Sequence, residues 1–370
     1  MSSPTLNERE WTFVCTLVLG GFMPLAHERT VQSLYYILRG RKANQTLQDV
    51  HLYSLYPYYR LFPRLLKEDW AKIVEKLQAD ELFISIPATG DRKKPSFYVT
   101  DKGKQVASEG AERFCLPDWF APFTSADIPE KLEVFWLRLH LLVQTVSYLL
   151  KKDLSFQPVV QEKRVQQWVK QRLADRRERE RWEEGLSAEL FHCLSTLPES
   201  VQEIIIRLFS GVSQSGQTLT QLGRERQEAS SYIHVQHRFG LARVLHLLRE
   251  KPEQFPLLSA LLEDDRSNDP RLTESASQTY MLVKRGTSIE EIAKRRGIKP
   301  STVEDHLVEI ALRCPEWSCS DYLAPQLAEQ IVELSNHLGT SRLRLIKDRI
   351  GANVSYLQIR LALAKRREEG

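Results

Sequence analysis

The side chains best placed for chemistry in this chain are cations, gathered in four stretches where they could meet phosphate. Lys294, Arg295, Arg296 and Lys299 crowd together and run into the hydroxyls of Ser301 and Thr302. Lys67, Lys72 and Lys76 recur along one segment, and Arg92, Lys93 and Lys94 stand side by side after Gly90 and Asp91. Arg224, Arg226, His237 and Arg238, with His234, form the fourth set. Surface Lys and Arg hold the sugar-phosphate backbone by charge, which gives affinity without base preference. Bond-making chemistry has no comparable footing. The chain contains no HExxH, no GxSxG and no carboxylates at metal-site spacing, so no catalytic residue, cofactor or metal is expected.

Two apparent sites dissolve on inspection. Residues 211 to 218, GVSQSGQT, have the spacing of a P-loop, but Gln217 stands where a lysine neutralises phosphates, and a helical pattern precedes it. A flexible loop is expected there. Cys314 and Cys319 are close in sequence, yet no CxxC completes them, and the five cysteines are scattered. Reduced thiols are the reading, with no disulfide framework.

The elements that must carry the cations can be read from periodicity. Over Ser288 to Leu307, Ile289, Ile292, Ala293, Ile298, Val303 and Leu307 fall where two crossing helices would meet. Ser288 with Glu291 and Ser301 with Glu304 have capping-box spacing. Gly297 suits the left-handed end of the first helix, and Pro300 is expected just outside the second. This is a helix-turn-helix. Its second helix opens Thr302, Val303, Glu304, Asp305, His306, and two carboxylates there disfavour base reading, leaving backbone contact or protein docking.

Nearer the start, a helix is expected over HERTVQSLYYILRG (from His27), then an aromatic connector from Leu52 to Phe62, then a helix from Lys67 to Asp80. Two short alternating strands follow, Leu82 to Ile86 and Ser96 to Thr100. Helix, helix, hairpin is the order of a winged helix. The basic hairpin tip has two readings, phosphate contact or protection of a strand edge. The connector aromatics read as core before they read as a base-stacking platform. A third module spans about Leu186 to Glu263, laid out like the C-terminal helix-turn-helix of sigma factors but without the turn glycine. Arg224, Arg226, His234, His237 and Arg238 are its expected exposed face.

Composition limits the possibilities further. The 52 basic and 48 acidic side chains of the 370 residues leave a formal charge of +4, so a nucleic-acid surface must be a local patch. The apolar run Trp11 to Leu25 follows Glu8, Arg9 and Glu10 and is broken by Gly20, Gly21 and Pro24. A buried helix fits it better than a signal or a membrane span. Ile128 to Leu150 reads as a long buried helix. QRLADRRERERWEEG reads as a solvated connector, with Arg176 to Glu180 and Arg179 to Glu183 paired one turn apart.

With these residues in view, a resemblance can be stated. LYYILRGRKANQTLQDV, LLKEDWAKIVEKLQADELFISI and YVTDKGKQVA resemble the winged-helix domain of RecQ-family helicases, including the LRG of Leu38 to Gly40 with Arg41 and Lys42, and the turn from Val99 to Gly103. The helix-turn-helix with SYLQIRLALA (Ser355 to Ala364) is similar to the small C-terminal domain of many bacterial RecQ helicases. The pair without a motor resembles, over the full length, the YpbB family of Firmicute proteins, whose members are encoded beside a short RecQ-type helicase lacking these domains. The four-cysteine zinc subdomain that precedes the winged helix in RecQ proteins is absent from the sequence.

The expected architecture is therefore mainly α: a winged helix with a small β-hairpin, plus several helix-turn-helix modules joined by long helices. Expected segments are a winged-helix domain at 1–126, a helical connector at 127–185, a sigma-like helix-turn-helix at 186–268 and a C-terminal helix-turn-helix domain at 269–370. The resemblance implies a non-enzymatic, cytoplasmic and nucleoid-associated accessory protein. It would bind duplex or fork DNA and supply domains in trans to a short RecQ-family helicase in repair, recombination or replication restart. Neither a membrane nor a small-molecule substrate is expected as a partner. A transcription regulator binding operator DNA and a protein-only scaffold are the alternatives.

Overall fold

Apolar residues recur at three- and four-residue spacing through most of the chain, and helices form where they do. The computed structural model describes residues 7–26, 28–86, 96–153, 155–263, 272–314 and 316–366. It begins with Glu8–Phe22 (α1), Val31–Arg39 (α2), Asn44–Leu52 (α3) and Lys67–Ala79 (α4), then an antiparallel hairpin of Phe83–Ile86 (β1) and Ser96–Val99 (β2). Next come Asp101–Arg113 (α5), Leu116–Phe120 (α6), Asp127–Leu150 (α7), Lys163–Arg172 (α8), Arg176–Leu194 (α9), Glu199–Leu208 (α10), Leu219–Arg226 (α11), Ser230–Glu250 (α12) and Pro256–Ala260 (α13). The remainder holds Glu274–Val283 (α14), Ile289–Arg296 (α15), Pro300–Arg313 (α16), Pro325–Leu338 (α17), Leu343–Ile350 (α18) and Tyr356–Lys365 (α19). The mainly helical class with one small hairpin is as the sequence led us to expect.

These elements sort into two compact units that interleave along the chain, residues 1–20 with 101–263 and residues 21–100 with 264–370. The chain passes between the units near Gly20, Thr100 and Glu263, and the expected boundary at 268 lies outside the described residues. One cause is local to α5. A Cβ on Gly110 would collide with the Thr16 side chain, so α5 crosses α1 at closest approach and belongs with it.

In the first unit α12 is the central helix. It packs on α6, α7, α9, α10, α11 and α13. Gly240 lets α10 approach, since a Cβ there would lie 2.5 Å from Val201 Cγ1. The Glu10 carboxylate caps the start of α12, accepting from the Ser230 N–H at 2.8 Å and the Ser231 N–H at 3.2 Å, where the helix dipole favours a negative charge. Arg138 is buried under Trp168, 4.7 Å from the ring centre, and donates to the carbonyls of Leu261 and Glu263 at 2.8 and 2.9 Å. Arg176 and Glu180 pair at 2.9 Å as expected, but Arg179 donates to the Leu173 carbonyl at 3.1 Å in place of Glu183. The P-loop look-alike is an ordered turn. Val212 and Gly216 give their N–H groups to the hydroxyls of Ser147 and Ser210, and Gln217 gives its N–H to the Arg207 carbonyl.

The later part of the second unit holds two successive sets of three helices. In α14–α16, Ile292, Val303 and Leu307 are fully buried, and in α17–α19 Ile346 and Leu361 are fully buried and Leu357 nearly so. Gly297 (φ +63°) and Gly351 (φ +116°) make the turns before the last helix of each set. Those last helices, α16 and α19, pack against each other, and both rest on α3. The Ser288 hydroxyl accepts from the Glu291 N–H, but the second expected cap does not form. Pro300 lies inside the first turn of α16, with Lys299 as N-cap, because proline has no N–H to lose there and its φ is already helical. Leu55, Tyr58, Tyr59 and Leu61 of the aromatic connector are buried core. Among the described residues no helix is long and apolar enough to cross a membrane.

Candidate nucleic-acid interface

In the second unit a group of basic side chains gathers where α2 ends. Gly40 terminates α2 in the left-handed conformation, φ +69°, and its N–H returns to the Ile37 and Tyr36 carbonyls. The Arg60 N–H then donates to the Ile37 carbonyl at 3.0 Å and the Phe62 N–H to that of Leu38 at 2.8 Å, so a later loop caps the same helix end. This brings Arg60 and Arg64 beside Arg39, Arg41 and Lys42. A side chain at 40 would strike Arg60, whose Cβ lies 2.9 Å from the Cβ position.

Arg39 is steered by the Pro63 carbonyl (3.4 Å) and the Tyr35 hydroxyl (3.3 Å). The Arg41 guanidinium lies over the Tyr36 ring at 4.6 Å. Arg39, Arg41, Lys42 and Arg64 are exposed, and none is in an ion pair with a described carboxylate. Cations at a helix C-terminus are also favoured by its dipole, so the cluster forms at little electrostatic cost. Sequence reading had Arg39, Arg41 and Lys42 only as part of a family motif, and it missed Arg60 and Arg64. The basic run after LRG was the available signal.

Of the residues singled out from sequence, Lys67, Lys72 and Lys76 are exposed on α4, whose Trp70, Ile73, Val74 and Leu77 face inward. Their charge is matched by Glu68, Asp69 and Glu75 on the same helix. Lys72 stands 3.8 Å from Asp69 and Lys76 3.5 Å from Asp80, pairs of a kind that hold weakly in water. Arg92, Lys93 and Lys94 lie outside the described residues.

At the C-terminal helix-turn-helix, Lys294, Arg295, Lys299 and Ser301 are exposed. Arg296 is not available. Its guanidinium donates to the Ser275 carbonyl (2.8 Å) and hydroxyl (2.9 Å), to Gln278 (3.1 Å) and to the Thr279 hydroxyl, and so ties α15 to α14. Burial lowers its pKa. Thr302 is half-buried and turns into a cleft, and His306, Leu307, Val308, Glu309 and Ile310 are buried against neighbouring helices. The helix that would enter a major groove is therefore already docked, on α3 and α19 of its own unit.

The first unit corrects the fourth set. His237 and Arg238 were expected on an exposed face but are 6% and 7% exposed, because α12 is surrounded. His237 meets Trp136 edge-on at 4.6 Å, and burial, with His234, Arg238 and His140 nearby, pushes its pKa down to about 3. Arg238 lies over the Phe123 ring at 5.5 Å. Arg226 is held by Glu228 (3.0 Å) and Glu203 (3.4 Å). Arg224 alone of these four remains exposed.

A family model described as a helix-turn-helix domain matches residues 275–363, a span that takes in nearly all of α14 to α19. Over 350 residues the chain is 27% identical to Protein YpbB of Bacillus subtilis (strain 168), with 94% of this chain and 96% of that protein covered. No solved structure matches.

Proposed function

The chain belongs to the YpbB family, and from that premise we propose that it is a non-enzymatic accessory protein that binds DNA through backbone phosphates and works beside a short RecQ-type helicase. The observation that carries the DNA half is the cluster at the end of α2: five cations in one place, of which Arg39, Arg41, Lys42 and Arg64 are exposed without a carboxylate partner among the described residues. In a chain of charge +4 that patch is the local excess a polyanion needs.

Backbone contact is favoured over base reading because α12 and α16, the third helices of their modules, are packed inside their own units. That packing also counts against an operator-binding regulator, which needs such a helix exposed. The helicase half rests on the resemblance of the N- and C-terminal modules to RecQ accessory domains, together with a sequence that carries no motor motif.

The test has two arms. Fluorescence anisotropy with forked DNA of two unrelated sequences should give equal affinities with a steep dependence on salt. Unwinding of the same fork by the short RecQ-type helicase encoded in the same genome should rise when this protein is added. A strong sequence preference would favour the regulator. Equal unwinding with and without saturating protein would remove the helicase partnership.

A further inference from the structure

Helix α2 buries Val31, Leu34, Tyr35, Ile37 and Leu38 and turns its other side outward. Gln32, Ser33, Tyr36 and Arg39 share that side at helical spacing, and none of the four is buried. The helix, VQSLYYILR, contains no carboxylate. Its outward side is therefore polar, aromatic and cationic.

The helix end builds on this side. After Gly40 the Arg41 N–H returns to the Tyr36 carbonyl at 3.0 Å, the bond that joins the second residue past a helix to its last turn. Residues joined in this way commonly make an apolar contact. Here the pair is a planar cation and an aromatic ring, with the Arg41 guanidinium 4.6 Å from the centre of Tyr36. The cap thus fixes where both groups stand. Arg41 is exposed and in no ion pair with a described carboxylate, and Arg39 and Lys42 are exposed to either side of it in the chain.

Guanidinium planes and aromatic rings are the surfaces on which proteins lay unpaired bases. The bases of a duplex are stacked on one another and do not reach such a surface, whereas those of a single strand do. We propose that Arg41 and Tyr36 form a platform for an unpaired base, so that the end of α2 prefers DNA with single-stranded tails to blunt duplex. The inference rests on the reading that the same cluster meets phosphate. It adds what charge alone does not give, a choice between DNA structures. Sequence is not chosen, because every base has a π-face.

Anisotropy titrations of the full chain would use one fork carrying two kinds of tail, ordinary nucleotides or abasic sugar-phosphates of equal length. The two forks have the same charge and differ only in their bases. Base stacking of ordinary strength should make the base-bearing fork bind at least about fivefold more tightly. The key variant is Arg41→Lys, which keeps the charge and loses the plane. It should leave the salt slope in place and abolish the preference. Tyr36→Leu should abolish it too, and Tyr36→Phe, which keeps the ring, should retain it; thermal midpoints report whether each variant is folded. Equal affinity for the two forks, or a preference that survives in R41K, overturns the platform. If the forks bind equally but with a steep dependence on salt, phosphate contact stands and the platform alone is lost. If neither fork binds at low salt, both readings fall.

Discussion

Replacing Arg39, Arg41 and Arg64 together by alanine separates a phosphate-tracking surface from a merely basic one. These three are exposed, and their removal spares Arg60, which packs under Gly40, and Lys42, the fourth exposed cation. If the four exposed cations displace counterions from duplex DNA, log K should fall with log salt at a slope of about −0.9 per contact, or roughly −3.6. Between about 50 and 200 mM salt, a fourfold change, the native protein would then lose about 150-fold in affinity. With Lys42 as the contact left the slope becomes roughly −0.9, and the same change in salt costs only about 3- to 4-fold. Anisotropy titrations at four or more salt concentrations measure both slopes, and thermal melts show whether the variant is folded. Surface truncations of this kind should move stability by less than about 1 kcal/mol. Weaker binding at an unchanged slope would refute the reasoning, because the lost affinity would then not come from phosphate contacts.

Other consequences are open to measurement. Gly40→Ala should destabilise the protein by about 1–3 kcal/mol in urea titrations, since the left-handed φ and the contact with Arg60 both resist a side chain; a neutral result would mean that the end of α2 is not built this way. Arg296→Ala should cost about 1–3 kcal/mol by leaving Thr279 and the Ser275 carbonyl without their donor, while Arg295→Ala should leave the melting temperature in place. Equal effects of the two would contradict the assigned strut. Burial lowers the pKa of His140 to about 4 and that of His237 to about 3. Unfolded histidine titrates near about 6.5, so below that pH the unfolded chain takes up protons that the folded one refuses. Stability from these two groups is therefore complete above about pH 6.5 and declines as pH falls toward their folded values, by roughly 2 kcal/mol each at about pH 5. His237→Phe should flatten that decline in urea midpoints taken across this range, and an equally steep decline in the variant would exclude His237 as its source.

Much of the candidate site was visible as chemistry but not as exposure. His237 and Arg238 sit among polar neighbours in α12 and read as a solvated face, yet six other helices surround α12 and close that face. Arg295 and Arg296 are adjacent in sequence; one reaches solvent and the other braces two helices. Arg60 gave no signal, because it stands between the buried Tyr59 and Leu61 of the connector, and Arg64 is an isolated cation beside Pro63 and Leu65.

The local rules were legible because they are satisfied within a few consecutive residues. Apolar spacing marked the helices, Ser288 and Gly297 marked a start and an end, and the alternation around residues 83 to 99 marked the hairpin. Which faces stay in water is a different kind of fact. It depends on segments far apart in the chain that pack together, as the loop at Arg60 does on α2, and as α3 does on α16 and α19. Burial is non-local, so a residue's type and spacing state what it can do, and only its packed neighbours determine whether it meets a ligand or the protein's own core.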